Sequence, residues 1–269
     1  MTTLSGKAAE FLRLHVAGQP LLQPNAFDVG SARLLAGAGF TAIATTSSGF
    51  AATLGRRDGG VTRDEALAHL RALAEAVDIP VAADAENCFA DDPDGVAETV
   101  KLAARTGLAG ISVEDFARES GEIYERSLAV ERVVAAVEAA HAGPQQLVLT
   151  ARAEDLLHGG TLDEAVARLQ AFEQAGADVL FAPGLRAADD IRRVVSAVSK
   201  PVNVLVVAGS PPVAELADLG VARISVGGSF AWVAYAAVLE AAVELRDSGT
   251  YSYGARLKDA RTAIGQALR

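Results

Sequence analysis

A buried stretch of the chain ends abruptly in negative charge. Residues 81–95 read VAADAENCFADDPDG, so an apolar run leads to Asp84 and, two residues later, to Glu86. Side chains at positions i and i+2 of a β-strand project to the same face, which predicts that these two carboxylates lie side by side. The next apolar run ends in Glu114. Carboxylates that converge repel one another unless a cation neutralises them.

The chemistry of these residues favours a hard divalent cation. Asp84, Glu86 and Glu114 offer only oxygen ligands, which suit Mg²⁺ above all, with Mn²⁺ as the alternative ion. Arg152 ends a further apolar run, and its planar guanidinium suits a bidentate contact with a substrate carboxylate. The alternative is a salt-bridge network between these acids and Arg152 that holds no metal.

Other strand ends also carry polar residues. Asn25 follows the first apolar run and Thr46 follows the second, and we expect both to contact the substrate. Cys88 is the single cysteine of the chain. No histidine lies near it in sequence, and a thiol needs a reason to ionise, so we predict that Cys88 is a small packing residue.

The elements that must position these residues form a regular series. Continuous apolar runs alternate with longer Ala- and Leu-rich segments, as is typical of parallel strands buried on both faces. Eight runs occur in the 269 residues, at 21–26, 41–47, 80–86, 110–115, 146–153, 178–184, 201–207 and 223–228. The series predicts one α/β domain, a (β/α)₈ TIM barrel with an N-terminal helix and extra C-terminal helices. A doubly wound open sheet is the alternative fold.

Composition narrows the function classes. The net charge of −10 argues against general binding to nucleic acid or to an anionic membrane. No apolar run reaches the roughly 18 residues that a membrane span needs, and a lone cysteine fits a reducing compartment, so we predict a cytoplasmic protein. Residues 229–247 are unusually apolar for the outer helix of a barrel, which predicts contact with a partner chain.

Taken together, these residues resemble the isocitrate lyase/phosphoenolpyruvate mutase superfamily. The matching segments are PNAFDVGSARLLAGAGF (24–40), TTSSGFAATLGRRDG (45–59), VAADAEN (81–87), SVED (112–115), LTARAE (149–154) and ISVGG (224–228). The resemblance implies a TIM barrel, a Mg²⁺ ion and a small carboxylate substrate bound as a 2-oxoacid or its enolate. It also implies a homotetramer built as a dimer of dimers, or a homodimer, in which the last barrel helix is swapped between subunits.

The resemblance also implies roles for single residues. It implies that Asp84, Glu86 and Glu114 bind the metal and that Arg152 binds the substrate carboxylate. Glu86 takes the place of the second Asp in the family's Asp-x-Asp metal motif. The resemblance adds Asp58 as an acid near the metal and the reacting group. It further adds a segment that holds the carboxylate or phosphoryl end of the substrate. The members of that segment are Ser47, Ser48 and Gly49.

The segment at residues 116–128, FARESGEIYERSL, departs from the family pattern. Isocitrate lyases and methylisocitrate lyases carry a Lys-Lys-Cys-Gly/Ser-His type loop here, and phosphonomutases carry Lys-x-x-Asn-Ser, whereas this segment has neither Cys nor Lys. We expect it to form a mobile lid with Gly121 as its hinge. The catalytic acid of the lyases is therefore either missing here or replaced within Tyr124-Glu125-Arg126, and Tyr124 is the candidate catalytic residue.

The predicted function is that of a Mg²⁺-dependent lyase that cleaves a carbon–carbon bond in a small 2-oxo or 2-hydroxy acid through a pyruvate-enolate-like intermediate. The pattern is similar to carboxyphosphonoenolpyruvate phosphonomutase-like proteins, in the branch nearest to enzymes that decarboxylate oxaloacetate. Phosphorus–carbon chemistry, of the phosphoenolpyruvate mutase or phosphonopyruvate hydrolase type, is the first alternative. A phosphate-binding isomerase or synthase that grips phosphate at Gly209 and Gly228 is another, and a non-catalytic barrel that binds a small acid is the last.

Overall fold

A computed structural model describes residues 6–268, except for the side chain of residue 259. The strands are β1 Leu21–Gln23, β2 Asn25–Ala26, β3 Ile43–Thr45, β4 Val81–Asp84, β5 Gly110–Glu114, β6 Phe116–Ala117, β7 Glu122–Ile123, β8 Val148–Arg152, β9 Val179–Phe181, β10 Val202–Leu205 and β11 Arg223–Ser225. The helices are α1 Gly6–Arg13, α2 Val29–Gly37, α3 Ser47–Thr53, α4 Arg63–Ala76, α5 Pro93–Ala104, α6 Arg126–His141, α7 Leu162–Gln174, α8 Ala188–Ala197, α9 Val213–Asp218, α10 Ser229–Ser248 and α11 Gly254–Ala267. A 3₁₀ turn covers Asp155–His158.

Nine of the strands form one parallel sheet in the order β1-β11-β10-β9-β8-β5-β4-β3-β2. The first predicted strand is split in two, because Pro24 has no N–H to donate to a ladder. Its carbonyl still accepts a hydrogen bond from the N–H of Ala44 at 2.9 Å. β1 pairs with β11 and β2 pairs with β3, so the two halves of this strand bring the sheet round to a nearly closed barrel. The predicted TIM barrel is confirmed, and the open sheet is not.

The helices begin where the sequence supplies capping groups. At the start of α4, the N–H of Glu65 donates to the Thr62 hydroxyl at 3.4 Å and the N–H of Thr62 donates to the Glu65 carboxylate at 3.0 Å. At the start of α5, the Asp92 carboxylate accepts from the N–H of Gly95 at 2.9 Å, with Pro93 in the first helical position. These caps fix the first residues of α4, which lies between β3 and β4, and of α5, which follows β4.

The N-terminal helix closes the amino end of the barrel. Phe11 of α1 is fully buried among small residues of the barrel, which include Ala82 and Ala109. A Cβ on Gly110 would lie 2.8 Å from the Phe11 ring, so this strand position accepts only glycine while Phe11 stays in place. The opposite end, where the strands finish, is left for the polar residues.

The helix after the last barrel strand, α10, exposes apolar side chains. Trp232, Val233, Val238 and Leu239 are between 52% and 67% exposed, and Ala231 is the one buried residue of the helix. Of the helices in residues 6–268, none combines the length and the apolar character that crossing a membrane requires.

Candidate active site

A cavity of about 430 Å³ lies at the carboxyl end of the barrel strands. Most of its lining residues are polar or charged, and they come from the ends of several strands and the loops after them. The polar and charged lining residues include Asn25, Thr46, Ser47, Ser48, Asp58, Asp84, Glu114, Arg118, Arg152, Glu154 and Arg223. The sequence therefore locates the polar end of the barrel correctly.

The charged residues of the cavity and its wall form one cluster around two arginines, Arg152 and Arg118. Arg152 is the centre of the first half of this cluster. It ends β8 directly beside Glu114, which ends β5, and its Nη1 lies 2.8 Å from Asp84 Oδ1. Its Nη2 lies 2.6 Å from Glu154 and 3.3 Å from Glu114. Burial alone would lower the pKa of Arg152, but the three carboxylates raise it above its usual value. The guanidinium thus stays charged.

Arg118 is the centre of the second half, and sequence reasoning missed it. Its Nε lies 2.8 Å from Glu86 and 3.4 Å from Glu114, and its Nη1 lies 3.5 Å from Asp58. Arg118 belongs to the loop of a small antiparallel hairpin formed by β6 and β7. A Cβ on Gly59 would lie 2.8 Å from Arg118 Nη1, so the absence of a side chain there makes room for the guanidinium.

Asp84 is held as an anion. Its Oδ2 accepts hydrogen bonds from the backbone N–H and from the hydroxyl of Ser47, both at 3.0 Å. Burial would raise the pKa of Asp84, but Arg152 and the two bonds from Ser47 lower it below its usual value. This carboxylate is therefore ready to meet a cation at physiological pH.

Glu86 and Glu114 differ from Asp84 because their pKa values are raised and not lowered. Burial, which is the main cause, raises the pKa of Glu86 to about 7 and that of Glu114 to about 8. The nearby carboxylate of Asp84 adds to both shifts, and Arg118 opposes them. Burial thus favours the neutral form of both glutamates, and a cation beside them favours the ionised form.

The structure corrects the reason for pairing Asp84 with Glu86. β4 ends at Asp84, and Glu86 has a φ of +55°, so the alternation of a strand does not extend to it. Cys88 and Phe89 also have positive φ, at +60° and +56°. The chain turns sharply here, and Glu86 lies behind Asp84 on a smaller cavity instead of lining the main one.

The predicted substrate-binding residues divide into two groups. Asn25, Thr46, Ser47 and Ser48 line the cavity. Asn25 is fixed in orientation, because its Oδ1 accepts from the N–H of Gly227 at 2.9 Å. The structure does not bring Gly49 to the cavity. It is buried in α3, where a Cβ would lie 2.5 Å from the Thr46 side chain and 2.9 Å from Phe27, so its role is close packing.

Tyr124 also lies away from the cavity lining. Its hydroxyl donates a short hydrogen bond to Asp91 and accepts one from Asn87 Nδ2 at 3.1 Å, and the Arg132 guanidinium lies 4.0 Å from its ring. Burial raises its pKa to about 12. The expectation that Tyr124 delivers a proton to the substrate is corrected by this placement. The pKa of the buried Cys88 thiol is also raised to about 12 by burial, which agrees with a packing role.

The placement of Tyr124 leads to a prediction. The Tyr124→Phe variant is expected to lose about 1 kcal/mol of stability, because one hydrogen bond is removed and Asp91 and Asn87 lose their shared partner. Turnover is expected to stay within about twofold of wild type. Thermal unfolding and steady-state kinetics measure both, with Tyr251→Phe as the exposed control. A loss of activity of about 10²-fold or more, the effect of removing a general acid, would contradict it.

Of the two glycines predicted to bind phosphate, one lines the cavity. Gly228 lines the cavity, whereas Gly209 is not among the cavity residues in the described part of the chain, so the predicted pair of phosphate-gripping glycines does not form one site. Phe116 and His158 line the cavity and stack on each other, with ring centroids 3.9 Å apart. This stack joins the hairpin to the 3₁₀ turn after β8.

The acidic side chains at the cavity offer the oxygen ligands that a divalent cation such as Mg²⁺ prefers. Asp58, Asp84 and Glu114 line one cavity and all offer oxygen. With Glu86 and Glu154, five carboxyl groups surround the two guanidinium groups of Arg118 and Arg152. In the part of the chain that the structure describes, no three acidic, His or Cys side chains are grouped closely enough to hold a metal as they stand. Arg118 and Arg152 lie between the acids, which accounts for that spacing.

Known proteins are similar to this chain over most of its length. Residues 11–246 match the family model described as phosphoenolpyruvate phosphomutase. A putative lyase/mutase from Burkholderia cenocepacia has a solved structure that is 48% identical, with a TM-score of 0.89 over 92% of this chain and 91% of that one. The 2-methylisocitrate lyase of Escherichia coli is 32% identical over 192 residues, which are 68% of this chain and 64% of the lyase.

A third relative has a bound metal. A phosphonopyruvate hydrolase solved with oxalate and Mg²⁺ is 25% identical, with a TM-score of 0.82 over 92% of this chain and 89% of that one. The family match spans most of the chain, and the barrel and the acidic strand ends agree with it. The chain therefore belongs to the isocitrate lyase/phosphoenolpyruvate mutase superfamily.

Proposed function

We propose that this protein is a Mg²⁺-dependent lyase that cleaves a carbon–carbon bond in a small 2-oxo or 2-hydroxy acid. The observation that carries the proposal is the meeting of Asp84, Glu114 and Arg152 on one wall of the 430 Å³ cavity. That volume suits a small molecule, since ligand pockets typically measure about 300–1,000 Å³. The positive guanidinium suits a carboxylate, and the acids suit a metal.

Arg152 can hold the carboxylate of the substrate. Its contacts with Asp84, Glu114 and Glu154 engage Nε, Nη2 and one hydrogen of Nη1. Among the described residues, this leaves the second Nη1 hydrogen for a ligand. The hydroxyls of Thr46 and Ser48 line the same cavity and can orient the polar end of the acid.

Asp84 would hold Mg²⁺, with Asp58, Glu86 and Glu114 around it. When bound, the ion supplies Lewis-acid polarisation of the substrate carbonyl and neutralises developing negative charge. Asp84 suits this role because Ser47 and Arg152 keep it ionised. The preorganised positive charge of Arg152 stabilises the enolate that forms as the bond to C3 breaks.

We further propose decarboxylation of an oxaloacetate-like acid as the reaction. Loss of CO₂ leaves the electron pair of the broken bond in a pyruvate enolate, which takes a proton from water to give pyruvate. This step needs no base to deprotonate a substrate hydroxyl, as cleavage of an isocitrate does. Residues 116–128 contain neither the Cys nor the Lys of the lyase loop, and Tyr124 does not line the cavity.

A side-by-side assay tests this choice. Oxaloacetate, isocitrate, 2-methylisocitrate and phosphonopyruvate are each supplied with Mg²⁺, and pyruvate, glyoxylate, succinate and phosphate are measured. We expect turnover of oxaloacetate-type acids. Efficient cleavage of either isocitrate would overturn the interpretation of the 116–128 segment, and activity on phosphonopyruvate alone would move the proposal to phosphorus–carbon chemistry.

We also propose that α10 packs against a second copy of the chain, in a homodimer or a homotetramer with swapped helices. Its exposed Val238 and Leu239 support this, because exposed apolar patches mark interaction sites. We expect wild type to be at least dimeric in light scattering at micromolar concentration. The Val238→Glu/Leu239→Glu variant is expected to shift towards monomer, whereas Glu240→Gln on the same helix should not. A wild-type monomer would contradict the proposal.

A further inference from the structure

Arg118 reaches the carboxylate cluster from a loop and not from a barrel strand. Glu114 and Arg152 each end a strand of the sheet, so the barrel fixes their backbones. Arg118 lies between the two short strands of the β6–β7 hairpin, which is not part of the barrel sheet. A movement of this hairpin would withdraw the Arg118 guanidinium and leave the acids where they are.

The guanidinium of Arg118 occupies the point that three acids share. It lies 2.8 Å from Glu86, 3.4 Å from Glu114 and 3.5 Å from Asp58. The side chains of Glu86 and Glu114 are 4% and 3% exposed, whereas that of Arg118 is 23% exposed. Arg118 is therefore more exposed than either glutamate, and its side chain lines the cavity.

A divalent cation and this guanidinium need the same oxygens. Both carry positive charge, so they repel each other at the few ångströms that separate groups sharing one carboxylate. The remaining cation, Arg152, contacts Glu114 through the other carboxylate oxygen, Oε2, while Arg118 contacts Oε1. Of the four acids around the proposed metal, Arg118 contacts Asp58, Glu86 and Glu114, whereas Arg152 contacts only Asp84 and Glu114. Binding of a metal therefore conflicts with Arg118 at three of these four acids.

We propose that Arg118 is a tethered cation that competes with the divalent metal for Asp58, Glu86 and Glu114. Metal binding displaces the guanidinium and releases the hairpin, and loss of metal lets Arg118 return to neutralise the acids. This inference rests on the proposed metal-dependent function. Arg118 is then a positioning residue. The β6–β7 hairpin is released when the metal site is occupied and is held at the acids by Arg118 when the site is empty.

The test is the affinity of the purified protein for Mn²⁺, measured without substrate by titration calorimetry and by the electron paramagnetic resonance signal of free Mn²⁺. The Arg118→Gln variant is expected to bind Mn²⁺ about tenfold or more tightly than wild type, because the competing charge is gone. The Arg118→Lys variant keeps the charge and should stay near wild type. The control is Arg126→Gln, an exposed arginine at the start of α6, which should leave affinity unchanged.

The outcomes separate this inference from the proposed function. Equal or weaker Mn²⁺ binding by a folded Arg118→Gln variant, with binding by wild type intact, overturns the competition and leaves the metal-dependent lyase standing. An absence of Mn²⁺ binding in every variant overturns both. Circular dichroism checks that each variant is folded.

Limited trypsin digestion gives a second readout that needs no activity. Trypsin must seat the arginine side chain in its own pocket, so the bond after Arg118 is protected while the guanidinium lies among the acids. Mn²⁺ is expected to raise the rate of cleavage at this bond several-fold in wild type. Cleavage there that Mn²⁺ slows or leaves unchanged would count against the release of the hairpin.

Discussion

The Arg152→Lys variant is expected to lower kcat/KM by about 10²- to 10³-fold, the usual effect of losing one preorganised group that stabilises transition-state charge. Lysine keeps the positive charge but presents a single ammonium in place of a planar fork. It cannot contact Asp84, Glu114 and Glu154 and still bind a carboxylate in the geometry of Arg152. Steady-state kinetics with the best substrate of the panel measures the effect.

Lysine is preferred to a neutral replacement for a physical reason. Removing one partner of a buried ion pair typically destabilises a protein by about 3–5 kcal/mol, so Arg152→Gln would confuse loss of folding with loss of function. Arg192→Lys, at an exposed ion pair with Asp189, is the matched control and should be silent. Near-wild-type kcat/KM for a folded Arg152→Lys variant would remove Arg152 from the proposed mechanism.

The Asp84→Asn variant is expected to lose turnover by about 10³-fold or more, as the removal of a key electrostatic group does. It should also weaken Mn²⁺ binding at least tenfold. Asparagine has nearly the same shape and can still accept from the N–H of Ser47. It lacks the negative charge that the proposed metal requires, and it leaves Arg152 with one carboxylate fewer. Calorimetry and kinetics on the same preparation, shown to be folded by circular dichroism, connect the two losses.

The control for this change is Asp94→Asn, an exposed residue in the first turn of α5. There the lost charge costs only about 0.3–1 kcal/mol of helix-dipole stabilisation and touches no cavity residue. If Asp84→Asn kept wild-type affinity for Mn²⁺, the metal would have to bind elsewhere in the protein.

Most of the barrel can be predicted from the sequence because its signal is local. Each buried strand is a continuous apolar run, and seven of the eight predicted runs contain a single strand of the sheet. The exception is the run that holds Pro24, where the missing N–H divides the strand into β1 and β2. For residues 116–128 the sequence predicts only a lid, because the two-residue strands β6 and β7 are too short to carry a periodic pattern. The mobility of this segment stays a prediction.

The site was harder to predict than the fold because part of it depends on tertiary contacts. Asp84, Glu114 and Arg152 end strands, so the topology alone brings them together. Glu86 lies beyond the end of β4 in a left-handed conformation, which period-2 alternation does not describe. Arg118 gave no signal, because a hairpin and three distant acids together define its position.

The most direct test of the central claim is pyruvate release from oxaloacetate, followed with and without Mg²⁺. Oxaloacetate also loses CO₂ without a protein, so the rate with the Asp84→Asn variant at the same Mg²⁺ concentration, which includes the rate with Mg²⁺ alone, is subtracted. We expect a Mg²⁺-dependent rate that saturates with oxaloacetate, is abolished by a chelator and is inhibited competitively by oxalate. Pyruvate release no faster than with the Asp84→Asn variant at the same Mg²⁺ concentration would contradict it.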